Sequence, residues 1–372
     1  MAGGQVAAKP LTVIQLLPTL ESGGVERGTI EIADVLATAG HRSIVISGGG
    51  KMVSELARSN TEHITLPIGA KRISALRLIK PLRQLFAGAD IVHPRSRVPA
   101  WLTWLALKKM DSVSKPQLVT TVHGFYSVNR YSAIMTKGER VIAVSNAINH
   151  YIRQHYPATP NERIRVIPRG IDRNAFPFGF TPCPEWLTEW RAQMPDIKQH
   201  KIIMLIGRLT RLKGHEQFIE LIRQLNAAGQ AVHGVIVGGE DPRRLAYAKS
   251  LYERAANLPV SFLGQRSDVR ELMSVADLVL SLSSKPESFG RTVLEALALG
   301  RPVAGFEHGG VGEILSALYP HGKVATANDT DMLRTVTELL SAPIAVAPSD
   351  AFTLACMQKE TLAVYEQLAG AR

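Results

Sequence analysis

The feature that most constrains this chain is a rhythm. Short, unbroken apolar runs rich in β-branched residues alternate with segments long enough to be helices. In the first half the runs are LTVIQLLP (11–18), RSIVISG (42–48), HITLPI (63–68), DIVH (90–93), QLVTTVH (117–123), RVIAVS (140–145) and IRVIP (164–168). In the second half they are KIIMLIG (201–207), HGVIVGG (233–239), VSFLG (260–264), LVLSLS (278–283) and PVAGF (302–306). An apolar run without alternation means a strand buried on both faces. Interleaving with helices then means parallel α/β layers. At 372 residues the chain is long for one such domain and comfortable for two. The Pro- and Gly-rich stretch FPFGFTPCPEW (176–186) marks a boundary between the halves. The expectation is an α/β protein of two doubly wound domains facing a central cleft, with ligands beyond the carboxyl ends of the strands.

Bulk properties exclude several classes. No run approaches the length of a bilayer span, and MAGGQVAAKP has neither a charged n-region nor an apolar h-region. The two cysteines, Cys183 and Cys356, stand far apart, and no Cys/His spacing suggests a metal site. These features predict a cytoplasmic protein with no bound metal and no cofactor. The net charge of +11 is concentrated: between His63 and Met110 nine Lys and Arg face one acid, Asp90. A basic balance confined to one stretch points to an anionic partner there.

Two loops have the chemistry of phosphate sites. Gly23 and Gly24 lie where strand LTVIQLLP turns into a helix, and a helix N-terminus offers unpaired N–H groups to an anion. The dinucleotide fingerprint G-x-G-x-x-G is absent, which argues against a dehydrogenase. In LIGRLTRLKGHEQ, Arg208 follows a strand and Lys213 lies five residues on, before a helix. A planar guanidinium and a point charge there suit a diphosphate. In PESFGRTVLEALALG, Glu287 precedes a helix and Glu295 lies inside it.

These last two motifs, with SGGVERG, VHGFY, VIAVSNAI and VIPRGID in the same order, resemble family 4 of the retaining, GT-B-fold glycosyltransferases. The wording GGVERGTIEIA, HPRSRVPAWL and HGFYSVNRYS is similar to the branch that builds lipopolysaccharide core. The resemblance implies a GT-B fold: an acceptor-binding Rossmann-like domain over 1–175, a nucleotide-sugar domain over 176–350, and a terminal helix over 351–372 packing back toward the first. It implies a nucleotide-sugar donor, with a UDP-sugar expected, and a core oligosaccharide or glycolipid acceptor. By that resemblance Glu295 would hold the ribose hydroxyls, and Glu287 would meet the donor sugar. Ser288, Phe289, Gly290 and Arg291 would line the donor, with Gly23 and Gly24 contributing. Arg208 and Lys213 would stabilise the leaving diphosphate in place of a metal ion, and His123 would face the donor sugar. VIPRGID departs from the commoner form, which has Asn where Arg169 stands, so Arg169 is read as meeting an anionic group of the acceptor.

The basic stretch AKRISALRLIKPLRQLF reads as two short helices, because Pro81 breaks a single one. Ile73, Leu76, Ile79, Leu82 and Phe86 would face inward. Arg72, Arg77, Lys80 and Arg83 would face an anionic membrane, with Trp101 and Trp104 beside them. The protein would then be peripheral on the inner face of a bacterial inner membrane. Arg95 and Arg97, just past DIVH, are read as exposed at the cleft edge and gripping acceptor phosphates. Two other classes stay open: a nucleotide-sugar epimerase of the same fold, and an inactive sugar-nucleotide-binding subunit. Nucleic acid is disfavoured, since no stacking platform is visible.

Overall fold

The computed structural model describes residues 9–21 and 23–371. The N-terminal reading of residues 1–8, and Ser22 of the SGGVERG motif, lie outside them, as does the side chain of Ile73. The chain divides into two compact units, residues 1–170 with 354–372, and residues 171–353.

The first unit runs β1 (Thr12–Leu16), α1 (Gly24–Thr38), β2 (Arg42–Ser47), α2 (Val53–Leu56), β3 (Glu62–Thr65), α3 (Ile79–Phe86), β4 (Ile91–Pro94), α4 (Arg97–Leu107), β5 (Gln117–Val122), β6 (Arg140–Ala143), α5 (Asn146–His155) and β7 (Ile164–Val166). The strands form one parallel sheet in the order β3-β2-β1-β4-β5-β6-β7. The second unit runs α6 (Pro184–Gln193), β8 (Lys201–Ile206), α7 (His215–Ala227), β9 (Val232–Val237), α8 (Leu245–Ala255), β10 (Val260–Phe262), α9 (Val269–Ser274), β11 (Leu278–Ser281), α10 (Arg291–Ala298), β12 (Val303–Phe306), α11 (Gly309–Leu318), β13 (Lys323–Val324) and α12 (Asp329–Ser341). Its parallel sheet is ordered β10-β9-β8-β11-β12-β13. A last helix, α13 (Leu354–Gly370), belongs to the first unit.

Burial follows from the continuous runs. Val13, Ile14 and Leu16 of β1 are inaccessible to solvent, as are Ile203 and Met204 of β8. Each sheet is therefore covered on both faces, and its functional edge is the row of loops at the strands' carboxyl ends.

Three expectations need correction. The two compact units divide at 170/171, five residues before the expected 175/176, and Phe176, Phe180 and Trp186 of FPFGFTPCPEW pack on the core of the second unit. The second crossing is at 353/354 rather than 350/351. Leu76, expected inward, is 48% exposed, because residues 73–78 form a 3-10 turn rather than an α-helix. Pro81 sits in the first turn of α3, where its missing N–H costs no helical bond.

Helix α13 is held by polar as well as apolar contacts. Tyr365 is wholly buried, and its hydroxyl lies 2.6 Å from His93 Nδ1. Burial pushes the Tyr365 phenol up to about 12, so it stays protonated. Met357, Val364 and Leu368 pack with Ile32, Leu36 and Val119. Tyr365→Phe keeps the ring and strands a buried imidazole nitrogen. It should destabilise the protein by about 1–3 kcal/mol, read as a lowered urea midpoint. An unchanged midpoint would show that the hydroxyl contributes nothing.

Candidate active site

Strand β8 has β9 on one side and β11 on the other, so successive connections leave it in opposite directions. The loops diverging there open a crevice. A 3-10 turn, Arg211–Lys213, follows β8 and ends at Gly214 with φ of 75°. A Cβ on Gly214 would stand 2.2 Å from the Leu282 carbonyl oxygen, so only glycine lets the loops after β8 and β11 press together. The Ser284 N–H donates to the Leu212 carbonyl at 2.9 Å and ties them. The Lys213 stem lies along Gly207, and its Nζ meets Glu287 Oε1 at 2.6 Å.

The Ser283 hydroxyl donates to the same oxygen. Oε1 is thus doubly engaged, while Oε2 has no hydrogen-bond partner among the described residues. A third loop, after β12, braces the second. His308 Nε2 donates to the Ser283 carbonyl at 2.9 Å, and the Gly310 N–H donates to the Glu287 carbonyl at 2.8 Å. Gly309, with φ of 59°, stands where a Cβ would lie 2.4 Å from that same oxygen. Burial alone would raise the Glu287 carboxyl. The Lys213 charge and bond, then the Ser283 hydroxyl and the nearby His308, outweigh it and hold the group below its ordinary range.

Arg208 is exposed and makes no hydrogen bond or ion pair among the described residues. Gly290 caps α10 with φ of 98°, and its Cβ would strike Val311. Within α10, Arg291 Nε reaches Glu295 Oε1 at 3.1 Å. Ser288 is half-buried. Phe289 is not a surface group: it is 5% exposed and stacks edge-on against Phe352. Of this stretch, the Phe289 side chain belongs to the core and only its backbone is available to a ligand.

The remaining site residues lie in the first unit. His123 follows β5, and its Nδ1 lies 2.7 Å from Arg169 Nη2. Its Nε2 is shielded from solvent and makes no hydrogen bond with the described residues. Arg95, expected at an exposed edge, is only 3% exposed. Burial lowers its affinity for a proton, and the Tyr365 hydroxyl and Glu31 partly restore it. The wholly buried His93 bridges Tyr365 and the Thr121 hydroxyl, the latter at 2.7 Å. Arg95 is therefore a core cation, held inward by a residue far along the chain. Arg97 stays near the surface, bonded to Ser132 and lying over the rings of Tyr126 and Tyr131. At the N-terminus of α1, Gly23 adopts φ of 149°, and the Glu26 carboxylate folds to within 2.6 Å of where a Gly23 Cβ would stand. An acid there opposes the phosphate contact expected at Gly23 and Gly24. Arg72, Arg77, Lys80 and Arg83 are all exposed, and none makes an ion pair among the described residues.

The sequence reading missed Ser283 and His308. A signal for the second existed: HGG after the run PVAGF has the same strand–turn–helix form as the SGG and VHG loops. Nothing local pointed to Ser283 or to the pair His93 and Tyr365.

Residues 22–175 match the model of Glycosyltransferase Family 4, and residues 188–348 match that of Glycosyl transferases group 1. Among curated relatives, the N-acetyl-alpha-D-glucosaminyl L-malate synthase of Bacillus anthracis is 24% identical over 233 residues, 61% of this chain and 58% of that protein. The D-inositol 3-phosphate glycosyltransferase of Rhodococcus opacus is 28% identical over 248 residues, 60% of this chain and 53% of that protein. The matches thus span less than two thirds of either relative. A glycosyltransferase from Rickettsia africae superposes with a TM-score of 0.84 at 28% identity, over 96% of this chain and 98% of that one. Anabaena HepE in complex with UDP and glucose gives 0.80 at 19%, over 96% and 100%. WaaG, a glycosyltransferase involved in lipopolysaccharide biosynthesis, gives 0.66 at 18%, over 97% and 95%. Two Rossmann-like units of this order make the GT-B fold, with a Family 4 glycosyltransferase domain over residues 22–175 and a group 1 glycosyltransferase domain over residues 188–348.

Proposed function

We propose that this protein is a retaining glycosyltransferase that moves a sugar, a hexose or N-acetylhexosamine, from a nucleotide-sugar donor, a UDP-sugar, to a lipopolysaccharide core or related glycolipid. One observation carries the donor half of this reading. At the switch point of the second sheet an unpartnered cation, Arg208, accompanies a Lys213–Glu287 pair whose Oε2 remains available. Cations beside an open carboxylate oxygen suit a diphosphate and a sugar hydroxyl together. Further support comes from HepE, solved with UDP and glucose, and from WaaG, involved in lipopolysaccharide biosynthesis.

In this reading Arg208 and Lys213 neutralise the departing nucleoside diphosphate in place of a divalent ion. The bond from the anomeric carbon to the phosphate oxygen breaks through an oxocarbenium-like transition state. The acceptor hydroxyl forms the new bond on the same face and passes its proton to the leaving phosphate oxygen. No protein nucleophile is required. Glu287 Oε2 accepts from a donor-sugar hydroxyl and places negative charge near the developing cation. Glu295 accepts from the ribose hydroxyls, with Arg291 holding it. His123 offers a hydrogen bond to substrate, and Arg97 meets acceptor charge. The exposed Arg72, Arg77, Lys80 and Arg83 bring the protein to an anionic bilayer surface. Among the described residues no helix is long and apolar enough to cross a membrane.

Three measurements test this reading. Arg208→Ala and Lys213→Ala should each slow transfer about a hundredfold or more, the usual loss when one charge-assisted contact to a transition state is removed. Wild-type rates in both would end the diphosphate assignment. Calorimetric titration with bare UDP separates the carboxylates. Glu295→Ala should weaken binding, while Glu287→Gln should leave it nearly intact and depress turnover; equal losses would contradict the assigned roles. Finally, each cation near an anionic surface contributes about 1 kcal/mol. The fourfold change of Arg72, Arg77, Lys80 and Arg83 to Gln should therefore abolish co-sedimentation with phosphatidylglycerol vesicles at low salt. Persistent co-sedimentation would remove the membrane role.

A further inference from the structure

Arg169 approaches His123 from the turn after β7, and the direction of their bond is settled by chemistry. A guanidinium has donors only, so Arg169 Nη2 donates and His123 Nδ1 accepts across 2.7 Å. The accepting lone pair lies in the ring plane, so a neutral His123 must carry its proton on Nε2. That nitrogen is shielded and makes no hydrogen bond with the described residues.

A second observation concerns the space through which the Arg169 guanidinium passes. Gly28, in the second turn of α1, lacks a side chain at the point where the Arg169 guanidinium passes. A Cβ there would stand 1.9 Å from Arg169 Nη1 and 2.9 Å from Cζ. Gly28 is also helical, where glycine is unfavourable by about 1 kcal/mol relative to alanine. No alanine fits without moving the guanidinium. The Tyr126 hydroxyl accepts from the His123 backbone N–H at 3.2 Å and fixes the other side of the residue.

We propose that Arg169 is a positioning residue that holds His123 as a neutral imidazole with the proton on Nε2, so that His123 presents a hydrogen-bond donor, and not a base, to an oxygen of the sugar substrate. Gly28 is the notch that permits it. The identity of the ligand rests on the glycosyltransferase reading; the tautomer does not. The groups facing His123 all favour the neutral form. Burial acts first, followed by the charges of Arg169 and Arg95 and then by His93, and together they hold its proton affinity well below that of an ordinary histidine. Removing Arg169 deletes the largest of those charges and the only group bonded to Nδ1 among the described residues. It also frees the ring to turn.

The full chain labelled with ¹⁵N-histidine gives a direct readout. His123 is assigned by comparison with His123→Gln, and its ring nitrogens are followed from about pH 5 to pH 8, the span in which an ordinary histidine titrates. The expected wild-type spectrum has an unprotonated Nδ1 and a protonated Nε2 throughout. A His123 that titrates near the ordinary value of about 6.5, or that carries its proton on Nδ1, overturns the proposal without any further variant. In Arg169→Met, His123 should titrate at a higher pH than in the wild type, and kcat should fall about tenfold or more, on the scale of a lost oriented donor. KM for the donor should change little. Arg169→Lys keeps a charged donor and should restore much of both properties. Gly28→Ala displaces only the flexible end of Arg169 and should move the His123 titration in the same direction as Arg169→Met, by less. An Arg169→Met protein with wild-type His123 titration also overturns the proposal. If Arg169→Met changes the spectrum as expected but His123→Gln turns over normally, the tautomer stands and the catalytic use of His123 falls.

Discussion

The Lys213–Glu287 pair is the contact on which the second unit's functional edge depends. It joins the loop after β8 to the loop after β11, on either side of the point where strand order reverses. A backbone bond from Ser284 to Leu212 and the close approach at Gly214 join the same two loops. The pair is partly buried, so neither partner can be removed without leaving a charge poorly solvated. That cost explains why the surrounding polar groups converge on one carboxylate. Ser283 shares the load on Oε1, and His308 and Gly310 fix the backbone that carries both. Two partners thus hold the carboxylate through Oε1 alone.

The first unit handles buried charge by a different route. Arg95 and His93 lie in its core, where an isolated cation is costly. The imidazoles of His93 and His123 answer by staying neutral, driven first by burial and then by neighbouring arginines. Tyr365 supplies the hydroxyl that satisfies His93, and it arrives on α13, 272 residues further along the chain. The terminal helix is thus part of the polar framework beneath the loop edge, and its sequence has to encode both an apolar stripe and one buried phenol.

This division explains what could be read from sequence. The twelve apolar runs all became strands: the central ones are buried on both faces, and the edge strands β3, β7 and β10 keep the apolar run while only partly buried. Strand β13 was missed: two residues, Lys323 and Val324, make no run at all. The position of the cationic loop and of the helix bearing Glu295 was legible, since strand–loop–helix order alone sets it. The environments of single side chains were not. Arg95 and Arg97 sit two positions apart and look alike in sequence, yet one is buried against Tyr365 and the other lies over Tyr126 and Tyr131. Phe289 reads as a loop aromatic beside a glutamate and turns out to be core, because Phe352 comes back to meet it. In each case the deciding partner is distant in sequence, so no local pattern could announce it.

Glycine marks the places where these long-range demands become visible locally. Gly214 and Gly309 adopt left-handed backbone that also brings a neighbouring carbonyl too close for a Cβ. Gly28 is different: its backbone is ordinary helix, and only the guanidinium of a residue far along the chain excludes a side chain. Local propensity would place alanine there. A helix-interior glycine that conformation does not require is evidence of something passing close by. Here the passing group is Arg169 on its way to His123. The two units thus use different constraints: in the second, glycine shapes the backbone, and in the first it clears a path for a charge.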